Sequence, residues 1–317
     1  MKKKDCFPKK VMGVVLSLML GVQICWAAEP EPGVQVLKMD RPGQTAQLPA
    51  NFRTAQSPYK KTVNNRYPSR EGLDILRQSG SSFFSKTEFK ELLKKIPAKD
   101  LVIIDLRNES HGYVNEIGVS WYSRYKTFNF GQSAAEIDRR EKSMLETLHQ
   151  NGCADISLLG KDKSIVGQKR ELVGNVQTEA EFVQSLGVKY YRVPVMDYSA
   201  PTPQNVDDFL QVYRQLPVNA WVHVHCEAGV GRTTIFLSLL DMIKNADRVS
   251  YDDIMTREVL LGGQDVRKSA ETTKDAYKKV HYQERAEFTH HFYDYVKENP
   301  ELNVSYTQWT LAHGYRY

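Results

Sequence analysis

Cysteine is scarce in this chain of 317 residues, which contains four. Cys6 and Cys25 lie within the first 27 residues, so two thiols, Cys153 and Cys226, remain beyond them. A chain with so few cysteines does not depend on a disulfide framework for its fold. Cys153 is most simply a small buried apolar residue, which leaves Cys226 as the thiol available for chemistry.

Net charge is also scarce once the first 27 residues are set aside. The whole chain carries a formal charge of +5, and residues 1–27, with five lysines and one aspartate, account for +4 of it. The remainder is near +1. Proteins that bind nucleic acid concentrate basic charge, so the composition predicts no nucleic-acid partner.

The basic start of the chain is typical of a secretory leader. Its lysines precede an apolar stretch at 11–24 that is too short for a comfortable membrane span. The sequence predicts a signal peptide over 1–27, cleaved after Ala27 or Ala28, and a bacterial protein exported to the periplasm or secreted. No membrane association is expected after removal of the leader. An uncleaved anchor helix and a lipoprotein site at Cys25 are the weaker alternatives.

Strand-like and helical patterns alternate beyond the leader. The continuous apolar run 101–106 is typical of a buried parallel strand, further strands are predicted at 189–195 and 220–225, and helices are predicted between and after them. This alternation predicts an α/β fold with a mostly parallel central sheet flanked by helices.

Three regions are predicted along the exported chain. Residues 28–50 are rich in Pro, Gly and Gln and are expected to be extended. Residues 51–317 are expected to form the folded domain. Within it, residues from about 112 to 176 mix a helix with short strand-like pieces, which indicates an inserted small subdomain.

The most informative segment joins a strand to a helix through Cys226, five residues and Arg232. Glycines at 229 and 231 let the backbone turn tightly and direct its N–H groups inward. The N-terminus of the following helix favours a dianion at the same point, and this field favours the thiolate form of Cys226. Arg232 offers a planar fork for two phosphate oxygens, which Lys cannot supply. The predicted phosphate-binding loop consists of Glu227, Ala228, Gly229, Val230 and Gly231.

Three further residues complete the predicted chemistry. Thr233 is placed to donate a hydrogen bond to the thiolate as it leaves, and His225 is expected to order the loop from behind. Asp197 follows a strand on a loop, where sites gather in parallel sheets. A protonated Asp197 could donate to the leaving oxygen and then deprotonate water. An aspartate in a turn is more often a helix cap or turn former, so the residues alone leave both roles open.

Residues 225–234, His-Cys-Glu-Ala-Gly-Val-Gly-Arg-Thr-Thr, resemble the signature of the bacterial cysteine phytases, which are protein-tyrosine-phosphatase-like inositol polyphosphatases. The resemblance extends over roughly residues 45–310. It implies a tyrosine-phosphatase-like core with a small partial β-barrel beside it, and chemistry that needs neither metal nor cofactor. Other segments that resemble the family are 48–54, 105–112, 120–122, 160–163, 176–179 and 201–203.

The resemblance also implies roles for individual residues. It gives Asp197 the role of general acid, and it makes Arg107, Glu109 and His111 structural. Tyr198 stands where the family carries His, and the segment 262–269 lacks the aromatic residues typical of the family. Both departures lie on the side of the predicted site that faces the substrate. The basic residues that the resemblance assigns to peripheral phosphates are Arg53, Lys163, Lys274 and Lys278.

The sequence therefore predicts a phosphomonoesterase that hydrolyses myo-inositol polyphosphates such as phytate through a phosphocysteine intermediate. One alternative keeps this mechanism and changes the substrate to phosphotyrosine protein or phosphoinositide lipid. Two others are a pseudophosphatase that binds phosphorylated ligands without turnover and a sulfur-transfer enzyme. Intact Cys226, Arg232 and Asp197 disfavour the pseudophosphatase, and Arg232, Thr233 and the acid disfavour sulfur transfer.

Overall fold

The computed structural model describes residues 34–43, 46–60 and 67–315. This part of the chain forms two sheets with helices packed around them. The strands are β1 (Val36–Arg41), β2 (Arg53–Thr54), β3 (Gln78–Ser82), β4 (Leu101–Arg107), β5 (His111–Val114), β6 (Ile117–Tyr122), β7 (Cys153–Leu159), β8 (Ile165–Leu172), β9 (Val176–Gln177), β10 (Lys189–Val195) and β11 (Trp221–Cys226). The helices are α1 (Lys86–Lys95), α2 (Ala134–Asn151), α3 (Glu179–Ser185), α4 (Pro203–Arg214), α5 (Gly231–Asn245), α6 (Tyr251–Leu261), α7 (Ser269–Thr272), α8 (Ala276–Glu298) and α9 (Tyr306–Ala312).

The central sheet has the strand order β10-β4-β11-β3-β2. The first four of these strands pair in parallel, and β2 at one edge is antiparallel. Strand β4 is buried along its whole length. Ile104 and Leu106 pack on the α4 and α5 side, while Leu101 and Ile103 pack on the α1 and α3 side. Both faces of the sheet are thus covered, and the predicted mostly parallel α/β core is confirmed.

The second sheet has the order β8-β7-β1-β6-β5-β9. Residues 111–177 supply five of its strands, close to the predicted subdomain at about 112–176. The remaining strand, β1, comes from the segment 28–50 and lies between β7 and β6. One residue of β1, Lys38, is buried. The sequence of β1 therefore lacks the apolar pattern that would predict a central strand of this sheet. Among the described residues the six strands form a sheet with β8 and β9 as its outer strands. The partial barrel stays a prediction.

Helix starts follow the local sequence closely. Ser85 and Thr178 cap α1 and α3, and each shares reciprocal hydrogen bonds with the glutamate three residues on. Both capping boxes were predictable from their spacing. Thr202 caps α4, with Pro203 at the favoured first position.

The predicted signal peptide over 1–27, with its cleavage point after Ala27 or Ala28, lies outside the described residues. Within the ranges that are described, no helix is both long and apolar enough to cross a membrane.

Candidate active site

The carboxyl edge of the central sheet brings together residues from three strands. Cys226 ends β11 and lies in register with Ser82 of β3. Asp197 and Glu109 follow the ends of β10 and β4 closely. Because parallel strands end at the same edge, these positions converge. The structure therefore brings Cys226 and Asp197 to one place, where the sequence predicts them.

The backbone after Cys226 is held with its carbonyl groups turned outward. Each carbonyl oxygen from residue 226 to residue 230 accepts a hydrogen bond, so the peptide N–H groups face the interior of the loop. The N-terminus of α5 points to the same interior, and this combination favours an anion. The donors are the Phe83 amide (to residues 226 and 227, 2.7 and 3.1 Å), Asn51 Nδ2 (to 228, 2.9 Å), Arg53 Nη1 (to 229, 2.7 Å) and the Thr234 hydroxyl (to 230).

Gly229 is required by the shape of this loop. Its φ is +74°, in the left-handed region. A Cβ atom there would lie 2.2 Å from the carbonyl carbon of Ser81 and 2.3 Å from the nitrogen of Ser82. Glycine lets the loop lie against the end of β3 with no side chain between them.

The Cys226 sulfur lies at the base of the loop. It is 3% exposed and accepts hydrogen bonds from the Gly229 amide at 3.3 Å and the Thr233 hydroxyl at 3.2 Å. Both donors stabilise a thiolate more than a thiol. The Thr233 contact is the one predicted from the sequence.

Glu109 holds Arg232 in a fixed orientation. Arg232 Nη1 and Nη2 donate to Glu109 Oε2 and Oε1 at 2.8 and 2.9 Å, and Nη1 also reaches the Val195 carbonyl at 3.0 Å. Its Nε makes no hydrogen bond among the described residues, which leaves that edge available to an anion. Glu109 thus positions the arginine, a role more specific than the structural bridge that the resemblance implies.

Asp197 lies between two cations. Its Oδ1 is 3.4 Å from Arg232 Nε, and its Oδ2 accepts a hydrogen bond from Lys126 Nζ at 2.5 Å. Burial by itself would raise the pKa of Asp197, but the charges of Arg232 and Lys126 outweigh it and lower that pKa from 3.8 to about 2. The two cations therefore favour the carboxylate form of Asp197, and proton donation requires a change in its surroundings.

Lys126 and Asp197 belong to a connected set of buried and partly buried ion pairs, called here the charge network. It links the first strand of the second sheet to the loop, because Lys38 contacts both Asp40 and Glu227. Lys126 contacts Glu227 from the other side, and Arg107 joins Asp40 to Glu109 at 2.9 and 3.0 Å. Its members are Lys38, Asp40, Arg107, Glu109, Lys126, Asp197, Glu227 and Arg232.

His225 lies behind the loop, on the side away from the anion site. Its Nε2 is 2.7 Å from Glu179 Oε1, and the other Glu179 oxygen is 2.9 Å from His111 Nε2. Asp105, His111 and Glu179 have the donor atoms and spacing of a metal site. These atoms are already paired with one another and with Tyr190, whose hydroxyl donates to Asp105 at 2.9 Å, so the cluster serves as a hydrogen-bonded support.

Arg53, which the resemblance assigns to a peripheral phosphate, lies against the outside of the loop. It is 3% exposed, and its guanidinium donates to the Gly229 carbonyl at 2.7 Å and to Thr234 Oγ1 at 3.0 Å. In the ligand-free protein Arg53 therefore braces the loop from outside. The sequence could not reveal this, because the contact joins residues 176 apart.

The other three basic residues that the resemblance assigns to peripheral phosphates lie nearer the surface. Lys163, on the β7–β8 turn, is partly buried, and this burial lowers its pKa although Glu227 and Asp197 attract it. Lys278 Nζ lies 4.7 Å from the centre of the Tyr198 ring, so the tyrosine in place of His faces a cation. Lys274 is exposed just before Asp275, the N-cap of α8.

Sequence reasoning missed two cations at the site, Lys126 and Arg285. Arg285 of α8 is 2% exposed and donates to the Ser199 carbonyl at 3.0 Å. A Cβ on Gly231 would lie 2.9 Å from its Nη1, so the guanidinium touches the loop. Its Nη2 makes no hydrogen bond within the described chain. Helical spacing from Lys278, seven residues earlier, would have placed Arg285 on the same face.

The fold and this loop have known counterparts. A family model for PTP-like phytases, described as inositol hexakisphosphate, matches residues 104–244. The PTP-like myo-inositol phosphatase of Mitsuokella multacida, solved with myo-inositol-(1,3,4,5)-tetrakisphosphate, superposes with a TM-score of 0.85 at 37% identity, over 91% of this chain and 49% of that one. The effector protein hopD2 of Pseudomonas syringae pv. tomato is 31% identical over 246 residues, which are 75% of this chain and 52% of hopD2. The chain thus spans about half the length of these two proteins.

A third counterpart matches along nearly its whole length. The PTP-like phytase of Bdellovibrio bacteriovorus superposes with a TM-score of 0.70 at 33% identity, over 90% of this chain and 98% of that one. The likeness therefore extends over nearly the whole of that protein. On this likeness, the chain belongs to the family of PTP-like phytases.

Proposed function

We propose that the protein is a cysteine-dependent phosphomonoesterase that hydrolyses myo-inositol polyphosphates, within a phosphatase domain that includes strand β1 as well as the predicted span 51–317. The loop after Cys226 carries this proposal: its N–H groups face inward around a thiol, and Arg232 and Asp197 lie beside it. A phosphate dianion fits that arrangement in charge and in hydrogen-bonding geometry.

The chemistry proceeds in two displacements at phosphorus. Cys226 Sγ attacks the phosphorus, a sulfur–phosphorus bond forms, and the bond to the ester oxygen breaks as Asp197 gives that oxygen a proton. Asp197, now a carboxylate, takes a proton from water, whose oxygen attacks the phosphocysteine. The sulfur–phosphorus bond breaks, inorganic phosphate forms, and the Thr233 hydroxyl stabilises the departing thiolate. Arg232 and the loop amides hold the phosphoryl oxygens throughout.

Several phosphates on one ring suit the surroundings of the loop. Beyond Arg232, cationic side chains lie on the β7–β8 turn at Lys163, on α8 at Lys278 and Arg285, and between β6 and α2 at Lys126. A ligand whose single phosphate occupies the loop offers none of these cations a second phosphate to contact. The inositol tetrakisphosphate in the Mitsuokella structure also supports a substrate of this class.

Phosphate release from a panel of substrates tests the proposal. With a metal chelator present, we expect kcat/KM for phytate to exceed that for a phosphotyrosine peptide and for a phosphoinositide by at least about tenfold, since each added ion pair contributes about 1 kcal/mol or more. A preference for the peptide or the lipid would favour the alternative substrates. Binding without release from any of them would make the protein a pseudophosphatase.

We also propose that the protein is exported, to the periplasm or beyond it. The lysines, the apolar stretch at 11–24 and the small residues after it support this. The exported protein should begin at Ala28 or Glu29, which N-terminal sequencing of the periplasmic and medium fractions would reveal. Retention in the cytoplasm with Met1 intact would contradict the proposal.

A further inference from the structure

Lys126 stands out among the cations of the site because it donates a hydrogen bond to Asp197, whereas Arg232 lies at ion-pair distance. Its Nζ donates to Asp197 Oδ2 at 2.5 Å, contacts Glu227 and lies 3.7 Å from Glu109 Oε1. The side chain is 4% exposed. A lysine that contacts three carboxylates in so little water is held firmly in place.

The backbone around Lys126 is strained in a way that delivers this contact. Tyr125 and Lys126 have φ values of +59° and +55°, in a region that is unfavourable for residues with a Cβ atom. Stacking of the Tyr125 ring on Tyr277 of α8, with centroids 4.1 Å apart, holds the turn. Two consecutive left-handed residues persist where the surrounding contacts maintain them, and here they direct Lys126 to Asp197.

The charge network is electrically balanced before any substrate arrives. Four basic members, at positions 38, 107, 126 and 232, meet four acidic members, at positions 40, 109, 197 and 227. A phosphate dianion that enters the loop adds negative charge next to this balanced set. Uptake of a proton by an acid of the network offsets part of that charge, and Asp197 is the acid that contacts the anion-binding edge of Arg232.

We propose that Lys126 is a positioning residue for Asp197. Its ammonium holds the acid as a carboxylate in the free protein, and a polyphosphorylated substrate releases the acid for protonation by supplying a second phosphate that competes for this ammonium. Asp197 takes the proton from solvent and then gives it to the leaving oxygen. The inference rests on the proposed function and adds a reason why several phosphates would be preferred to one.

Other charged groups also face Asp197, and a test must separate Lys126 from them. Lys38 is the matched control, because it is equally buried and also contacts Glu227, yet it pairs with Asp40 and not with Asp197. The titratable and charged groups around Asp197 are Arg232, Glu109, Glu227, Cys226, Lys163, Tyr198, Tyr277, Tyr282 and Arg285.

The first test is the pH dependence of the single-turnover cleavage of phytate in Lys126→Gln, Lys126→Arg and Lys38→Gln. Loss of a neighbouring positive charge raises the pKa of an aspartate by about 1 unit or more, so the acid stays protonated to higher pH. In Lys126→Gln, we expect the alkaline limb of the pH–rate profile, where the cleavage rate falls as Asp197 loses its proton, to move to a pH about 1 unit higher. It should stay in place in Lys126→Arg and in Lys38→Gln. A purely structural role would lower the rate at every pH without moving the limb.

The second test compares myo-inositol hexakisphosphate with myo-inositol monophosphate, which has the same ring and an alkoxide leaving group of the same kind. The preference of the wild-type protein for the hexakisphosphate should fall about tenfold in Lys126→Gln, the size expected for one charged contact. Lys38→Gln should change it by less than about threefold.

A third measurement needs neither turnover nor a Lys126 variant, and so applies even if Lys126→Gln does not fold. In a Cys226→Ser protein labelled with ¹³C-aspartate, the carboxyl signal of Asp197 reports its protonation. Bound hexakisphosphate should raise the midpoint pH of the Asp197 titration by about 1 pH unit or more. Bound monophosphate should raise that midpoint pH less.

The proposal is overturned if the alkaline limb is unmoved in Lys126→Gln, if Lys38→Gln moves it as far, or if both inositol phosphates shift the Asp197 midpoint equally. Those results would leave the phosphatase proposal intact. A wild-type protein that releases phosphate from no inositol phosphate would overturn both proposals.

Discussion

A Cys226→Ser protein should release phosphate from phytate at least about 10⁴-fold more slowly than the wild type. Oxygen replaces sulfur in nearly the same volume, so the loop, with its outward carbonyls and Gly229 turn, has no reason to change shape. A serine hydroxyl is a much weaker acid and a poorer nucleophile than a thiol, and the two described donors to this position, the Gly229 amide and the Thr233 hydroxyl, supply no base to activate it. The attacking group is therefore lost while the anion site remains.

Binding and stability measurements separate this effect from misfolding. Calorimetry should show that Cys226→Ser still binds phytate, because Arg232 and the loop amides are unchanged, and its melting temperature should stay close to that of the wild type. Cys153→Ser is the matched control, since Cys153 begins β7 in the second sheet and should keep full activity. Full turnover by Cys226→Ser would refute a thiolate nucleophile.

Replacing Arg232 by Lys should lower kcat/KM for phytate by about 10³-fold, the loss expected when a transition-state contact loses its donors. The guanidinium makes two parallel hydrogen bonds to Glu109 and still presents Nε beside Asp197. A lysine ammonium can hold Glu109 or the phosphate, and it cannot match both in that geometry. The variant therefore keeps the charge and loses the orientation.

An equally buried arginine away from the loop provides the control. Arg257 of α6 is fully buried and donates Nε to Asp241 at 2.6 Å. Arg257→Lys should lower the melting temperature while kcat/KM of the folded protein stays within about threefold. Activity of Arg232→Lys within tenfold of the wild type would show that the fork of hydrogen bonds is unimportant for the transition state.

The sequence predicts the features that depend on neighbours along the chain. The capping boxes at Ser85 and Thr178, the parallel strands and the arrangement of Cys226, Thr233 and Arg232 all follow from short-range spacing. The position of Asp197 is predictable because it follows the end of a predicted strand. The family resemblance favours the role of general acid over that of a turn former.

The features that sequence reasoning missed depend on contacts between distant segments. Lys126 reaches Asp197 because of a left-handed turn at two non-glycine residues, a conformation that side-chain pattern does not predict. Arg53 is an ordinary surface charge in sequence, yet it is buried against the loop. Lys38 is the one buried residue of β1, so the usual sign of a central strand is absent.

The position of β1 has a consequence for how the protein reaches its active form. Its partners in the second sheet lie about 80 and 120 residues further along the chain, and pairings so distant in sequence form slowly during folding. Lys38 and Asp40 arrive at the loop with this strand. The contact between Lys38 and Glu227 therefore forms only once β1 has joined the second sheet, so this part of the site depends on a long-range pairing step in folding.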